Sequence, residues 1–265
     1  MTLVGVAAVY LALGALSGMF AGLFGIGGGL IIVPGLIFSF GLQGVSADVA
    51  AHLAVGTSLA TIVFTSVSSI HAHNQHGAVQ WHLFRSMGLG IVFGAVLGAW
   101  TAAQLSGQAL ETAIGIFVLV MAAKMLIGGS PKPGRHTPGP AGSMAAGGFI
   151  GWLSSIFGIG GGTLTVPYLS WCNVRMQYAV ATSAAIGLPI ALAGAGANVW
   201  TGWQHPLLPD YSVGFVHLPA LAGVVATSVV CARLGAKLAH KLDAKFLKRI
   251  FAIFLIVVGL RFLIS

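Results

Sequence analysis

Two copies of one motif decide the architecture of this chain: residues 24–34 read FGIGGGLIIVP and residues 157–167 read FGIGGGTLTVP. The copies lie 133 residues apart, share six consecutive residues and repeat Val-Pro at the same distance. A second pair follows in the same order, AVGTS at 54–58 and AVATS at 179–183, at an offset of 125. Matches that keep their order along the chain predict a duplicated module.

The composition around these motifs is that of a membrane protein. Hydrophobic residues make up 57% of the 265 residues and charged residues only 6%, whereas soluble domains carry about 25% charged residues. This excludes an ordinary soluble enzyme, a disordered chain and a disulfide scaffold. The length allows about eight to ten helices of roughly 20 residues, although the apolar segments 28–41 and 162–172 are too short for a full crossing. We therefore predict an all-α polytopic membrane protein with broken or re-entrant helices at the glycine motifs.

The duplication divides the chain into two transmembrane repeats, 1–128 and 143–265, which the Gly/Pro-rich linker 129–142 joins. Near the end of each repeat the offset is 137, where Gly98 aligns with Gly235. Repeats of this kind are common in secondary transporters and form one integrated membrane domain.

The net charge of +8 is unevenly distributed, because six of the twelve Lys and Arg residues lie between Arg233 and Arg249. The positive-inside rule places such a basic loop in the cytoplasm, which argues against nucleic acid as a partner. The linker, with Lys132 and Arg135, should lie on the same side. An even number of crossings between the two basic regions favours inverted halves. Parallel halves are the alternative if each glycine run interrupts a single crossing.

The glycine runs should end helices, because a glycine in a helix interior costs about 1 kcal/mol relative to alanine. Non-helical backbone at membrane depth is tolerated only where protein buries it or water reaches it. Its N–H groups, together with the positive N-terminus of the helix that restarts, suit a small anion. Close helix packing through glycine is the alternative. The residues assigned to this site are Gly25, Gly27, Gly28, Gly29, Gly158, Gly160, Gly161 and Gly162, with Pro34 and Pro167 in the restarting helices.

Polar residues near the glycine runs complete the predicted anion site. Thr57-Ser58 and Thr182-Ser183 lie in apolar segments, where their hydroxyls either donate to an anion or bond back to their own helix. His73 and Asn198 hold matching positions at an offset of 125, either in the pathway or at the water interface. Arg175, in a short loop beside the second glycine run, is the strongest single candidate for attracting an anion.

No catalytic or metal site is predicted. The histidines at 71, 73, 76 and 82 do not place three ligands on one helix face and have no partner carboxylate nearby. An intramembrane enzyme would need a nucleophile with its base, and no such pair stands out. We therefore expect no metal and no other cofactor, and we keep a metal transporter that uses the histidine loop only as an alternative.

The twinned motifs at 24–34 and 157–167, each followed by an A-x-x-T-S block at 54–58 and 179–183, resemble those of the TauE/SafE family of membrane transporters, the sulfite exporters. The resemblance covers nearly the whole chain. It implies a multi-pass protein of the bacterial inner membrane that transports small sulfur-containing anions such as sulfite or sulfoacetate. It also implies that the glycines and the Thr-Ser pairs bind the substrate.

The prediction that follows is a secondary carrier that exposes its anion site alternately to the two sides of the membrane. Its expected partners are the anionic substrate, the lipid bilayer and, at most, a second copy of the chain in a homodimer. An anion channel with the same site, or a transporter of another small anion, is the alternative.

Overall fold

The computed structural model describes residues 3–24, 28–75, 77–127, 138–239 and 244–264. Five of its helices, the first, third, fourth, fifth and eighth in chain order, are long and apolar enough to cross a membrane. The chain is therefore a multi-pass α-helical membrane protein, as its composition predicts. In chain order the elements are α1 (Leu3–Phe24), α2 (Gly29–Leu42), α3 (Ala47–Gln75), α4 (Trp81–Gln104), α5 (Gly107–Ile127), α6 (Pro140–Ile156), α7 (Gly162–Trp171), α8 (Met176–Thr201), β1 (Ser212–Val213), β2 (Val216–His217), α9 (Leu218–Ala239) and α10 (Ala244–Ile264).

Both glycine motifs interrupt the helical chain, which confirms the predicted breaks. In the second motif α6 ends at Ile156 and α7 begins at Gly162. In the first motif α1 ends at Phe24 and α2 begins at Gly29, and residues 25–27 lie outside the described ranges.

Helix α2 returns along α1 and does not continue it. The Tyr10 hydroxyl in α1 lies 3.1 Å from Oε1 of Gln43, just after α2. At the other end of α2, a Cβ atom on Gly28 would lie 3.2 Å from Cβ of Ser17. The two helices therefore form an antiparallel hairpin. Pro34 and Pro167 are each the sixth residue of their helices, one turn further on than the first-turn position that the sequence predicts.

Helices pair across the two halves through close glycine contacts. Helix α1 packs along α9, and its counterpart α6 packs along α4. A Cβ atom on any of four glycines in α1 and α6 would clash with the main chain of the partner helix. The glycines match at an offset of 133 and their partners at an offset of 137, so one packing scheme occurs twice. The contacts are Gly14 with Val224 and Gly147 with Met87, then Gly18 with Ser228 and Gly151 with Ile91.

Helices α3 and α8, which carry the Thr-Ser pairs, pack against each other in the centre. A Cβ atom on Gly187 would lie 3.1 Å from Oγ of Ser66, and one on Gly194 would lie 2.9 Å from Cδ1 of Leu59. Residue numbers therefore fall along α3 as they rise along α8, and these two matching helices of the duplication run antiparallel.

The two ends of the bundle differ. The end at which α3 finishes, and at which Arg233 lies, is called the basic face. The end at which α3 begins is called the hairpin face. At the hairpin face β1 and β2 pair antiparallel, with Ser212 opposite His217. Gly214 adopts a φ of +54° in the turn between them. This hairpin is not predicted from the sequence.

Candidate functional site

A cavity of about 1020 Å³ opens between the helices at the basic face. Its inner wall is formed by the two glycine breaks, its sides by hydroxyl groups from four helices, and its mouth by basic and amide side chains. The residues at the breaks are Gly28, Gly160, Gly161 and Gly162; the hydroxyl residues are Ser17, Thr65, Ser66, Ser68, Ser69, Ser183 and Ser228; and the residues at the mouth are His71, His73, Gln75 and Arg233.

The polar groups of this cavity suit an anion. Arg233 supplies a permanent positive charge, and no aspartate or glutamate is among the described residues that line the walls. Hydroxyl groups are neutral donors and can bind an oxyanion without holding it irreversibly. Within the described ranges, no group of three or more His, Cys, Asp or Glu residues could hold a metal ion. A second hollow of about 510 Å³, between α4 and α8, is lined by apolar residues such as Phe93 and Trp100 and offers almost no donors.

The two glycine breaks contact each other behind the inner wall of the cavity. A Cβ atom on Gly29 would lie 2.6 Å from the carbonyl oxygen of Gly158 and 2.8 Å from Cα of Ile159. Gly158 adopts a φ of +64°, in the left-handed region that glycine reaches without strain.

The N-termini of α2 and α7 both begin at the cavity. Gly28 and Gly161 are their N-cap residues, and in the described structure neither N-terminus receives a capping hydrogen bond from a side chain. The N–H groups in a first helical turn have no partner within the helix, and they carry the positive end of the helix dipole. The two short helices therefore direct backbone donors towards the space in which an anion would lie.

The Thr-Ser pairs have divided roles. Thr57 Oγ1 accepts a hydrogen bond from the backbone N–H of His217 at 2.9 Å, and Thr182 Oγ1 accepts one from the N–H of Gln80, also at 2.9 Å. Gln80 and His217 directly precede α4 and α9 and are themselves 137 residues apart. Each threonine thus fixes the connection that leads into a helix of the other half, and neither lines the cavity.

The two serines differ from each other. Ser183 Oγ–H donates to the Val180 carbonyl at 2.8 Å, and Ser183 lines the cavity. Ser58 Oγ–H donates to the Gly158 carbonyl at 2.7 Å and is fully buried. Of the four hydroxyl groups, only that of Ser183 bonds back to its own helix, as the alternative interpretation expected.

We expect Thr57→Val to destabilise the protein by about 1–3 kcal/mol, because it leaves the buried N–H of His217 without an acceptor. Thr61→Val is the matched control. Thr61 is equally buried, one turn further along α3, and its hydroxyl donates only to the carbonyl of Thr57 within the same helix. That change should cost less, because it leaves no backbone donor without an acceptor. Thermal unfolding in detergent measures both, and equal midpoints would contradict the assigned role of Thr57.

The remaining predicted site residues lie in several places. His73 is half-buried at the mouth of the cavity. Asn198 is buried near the hairpin face, where its side-chain amide donates to the Gly194 carbonyl at 2.8 Å. Arg175 is exposed at the start of α8 and does not line the cavity. Gly29 and Gly158 lie behind the cavity wall, and Gly25 and Gly27 fall outside the described residues.

The sequence interpretation missed Arg233 and the serines of α1, α3 and α9. Arg233 counts in the sequence as one of six basic residues of a loop, but the structure places it in α9 beside the cavity. Its spacing of five residues from Ser228 does not place both on one helix face, so the sequence carried no signal for it. The serines carried no signal that separates a cavity wall from ordinary packing between membrane helices.

The chain matches the profile of the protein family described as "Sulfite exporter TauE/SafE" over residues 10–262. A relative in Haemophilus influenzae, named "Probable membrane transporter protein", is 36% identical over 94% of this chain and 95% of its own length. Similarly named relatives are 28% identical in Methanocaldococcus jannaschii, over 93% of this chain and 91% of that protein, and 27% identical in Bacillus subtilis, over 95% of both. No solved structure matches the chain significantly.

Proposed function

The chain belongs to the TauE/SafE family of membrane transporters, and from this premise we propose that it carries small sulfur-containing anions across the bacterial inner membrane. The proposed substrates are sulfite or organosulfonates such as sulfoacetate. One observation carries the proposal: the cavity combines two uncapped helix N-termini, seven hydroxyl residues and Arg233, with no acidic residue on its described walls.

We also infer that the halves, 1–128 and 143–265, are inverted repeats and that transport proceeds by alternating access. The antiparallel course of α3 and α8, and the glycine contacts that occur twice across the halves, support the inversion. The cavity opens at the basic face, while the β-hairpin, of which residues 214–217 are buried, covers the opposite end. By the positive-inside rule the basic face is cytoplasmic. A pathway closed at one end favours a carrier over an anion channel.

The first test is ligand binding followed by flux. Purified protein should melt at a higher temperature with sulfite or sulfoacetate than with chloride, because a ligand of the folded state stabilises it by mass action. Proteoliposomes should then take up the anion that stabilises most, with saturation and with counterflow. Flux without saturation or counterflow would indicate a channel. No stabilisation by any sulfur-containing anion, together with no uptake, would refute the proposed substrate class.

We expect Arg233→Gln to raise the KM for the anion about tenfold, the effect of losing roughly 1.4 kcal/mol of binding free energy. Arg175→Gln is the matched control, because Arg175 is also exposed but does not line the cavity. Concentration-dependent uptake in proteoliposomes measures both variants. If instead Arg175→Gln were defective and Arg233→Gln normal, Arg175, the candidate that the sequence alone indicates, would be the residue that attracts the anion.

A further inference from the structure

We propose that a second half-site for the same anion lies closed between the glycine breaks and the hairpin face. It is lined by Ser154, Ser155 and Thr165, together with Ser58 and Asn198. This inference rests on the proposed function and on the correspondence between the two halves. In inverted repeats, residues that line a cavity open to one face have counterparts that line the path to the other face.

Two residues of the open cavity have polar counterparts that are now closed off. Ser183 lines the cavity, and its counterpart at an offset of 125 is Ser58, which is fully buried against the second glycine break. His73 lies at the mouth of the cavity, and its counterpart at the same offset, Asn198, is only 2% exposed. Both counterparts carry groups that could donate to an oxyanion if the surrounding helices separated.

Three further counterparts have buried hydroxyl groups without any partner. In the described part of the chain, six buried side-chain N or O atoms lack a hydrogen-bond partner. Three of them are hydroxyl oxygens of residues in α6 and α7, and the counterparts of these residues in the first half line the open cavity. An unsatisfied buried polar group costs free energy. Half of these unpaired atoms lie at positions whose counterparts line the cavity, and we infer that a bound anion pairs with them in another state of the protein. The pairs, all at an offset of 133, are Ala21 with Ser154, Gly22 with Ser155 and Ile32 with Thr165.

Four of the five residues, Ser154, Ser155, Ser58 and Asn198, lie in one region. The Ser155 hydroxyl lies 2.8 Å from the position that a Cβ atom on Gly194 would occupy, and the Gly194 carbonyl accepts the hydrogen bond of Asn198. The Ser154 carbonyl accepts the N–H of Ile159 at 2.9 Å, next to the residue to which Ser58 donates. The hydroxyls of α6 therefore lie between the second glycine break and the last turns of α8.

The hairpin covers this region from the hairpin face. The Phe215 N–H donates to the Asn198 carbonyl at 3.1 Å, and the Phe215 carbonyl packs directly on Gly56. The ring of His52 stacks on that of Phe215 with centroids 5.1 Å apart. Sixteen residues (202–217) connect α8 to α9, whereas five (76–80) connect α3 to α4. The longer connection covers the half-site, whereas the shorter one leaves the cavity at the basic face open. If the longer connection moved away, the half-site would be exposed.

Site-directed labelling tests this inference. In a background with Cys172→Ala and Cys231→Ala, Ser155→Cys is exposed from the hairpin face to an impermeant sulfonatoethyl thiosulfonate reagent in oriented membrane vesicles. We expect the labelling rate to rise during turnover with the substrate anion. Ser143→Cys is the control, since Ser143 is buried on the same helix and its counterpart Tyr10 does not line the cavity. It should stay unlabelled.

A second variant tests the half-site without introducing a cysteine. Ser154→Ala with Ser155→Ala should leave the melting temperature unchanged or higher, because it removes unpaired hydroxyls. It should also raise the KM for anion presented at the hairpin face about tenfold, as the loss of one or two hydrogen bonds predicts, with a smaller change at the basic face. A structural role would instead lower the melting temperature.

The outcomes separate the two proposals. If the cysteine-free background transports no sulfur-containing anion, the proposed function fails. If it transports and Ser155→Cys is not labelled during turnover, or the double variant loses stability, the second half-site alone is overturned.

Discussion

Replacing Gly160 by leucine is expected to abolish anion transport while the protein still inserts and folds. Gly160 lines the cavity, and a Cβ atom there would lie 3.5 Å from Cγ2 of Ile62, which is an ordinary contact. The rest of the leucine side chain would then occupy the space beside the two helix N-termini. It would replace an anion's backbone donors with apolar surface, which is costly for a charged group.

Uptake of the substrate anion into proteoliposomes should fall at least about a hundredfold, which corresponds to a loss of roughly 2.7 kcal/mol of binding. The melting temperature in detergent should change little. Gly196→Leu is the matched control, because a Cβ atom there meets nothing within 4 Å and Gly196 faces the apolar hollow outside the cavity. Normal uptake by Gly160→Leu would show that the cavity is not the substrate site.

Gly161 would be a weaker test of the same idea. A Cβ atom on Gly161 would lie 2.8 Å from the carbonyl oxygen of Ser183 and 3.0 Å from the backbone nitrogen of Gly187. These main-chain atoms cannot rotate away, so a loss of transport in Gly161→Leu would mix a blocked cavity with a damaged helix contact.

The sequence predicts those parts of the fold that local chemistry specifies. Three consecutive glycines strongly disfavour a helix, so the interruptions after Phe24 and Ile156 follow from residues 24–34 and 157–167 alone. Apolar segments long enough to span a bilayer identify five of the helices. The position of the cavity at the breaks also agrees with the expectation that irregular backbone at membrane depth is reached by water or buried by protein.

The side chains that line the cavity depend on tertiary packing, which the sequence does not specify. The hydroxyl of Thr57 has a partner 160 residues away, in a hairpin that no local pattern indicates. Arg175 follows the second glycine motif in sequence, but it lies at the start of α8 outside the cavity, whereas α9 brings Arg233 to the cavity mouth. Proximity along the chain therefore does not predict which residues line the cavity when short helices fold back on the preceding helix.

Gly29→Ala is expected to separate the two glycine breaks and to lower both stability and transport. A Cβ atom on Gly29 would meet the main chain of Gly158 and Ile159 within 2.8 Å. Because both contacts are backbone atoms, the clash can be relieved only if α2 and the second break move apart. Overpacking of this kind costs about 1–3 kcal/mol, and the N-termini that should hold the anion would no longer converge.

Gly41→Ala, near the other end of the same helix, is the matched control. A Cβ atom on Gly41 meets nothing within 4 Å, and alanine is the better helix former by up to about 1 kcal/mol. That variant should melt at the same or a higher temperature and transport normally. Thermal unfolding and proteoliposome uptake, measured on both variants, decide the matter. If Gly29→Ala matched Gly41→Ala in both measurements, the two breaks could not be in contact, and anion binding at the two helix N-termini could not depend on that contact.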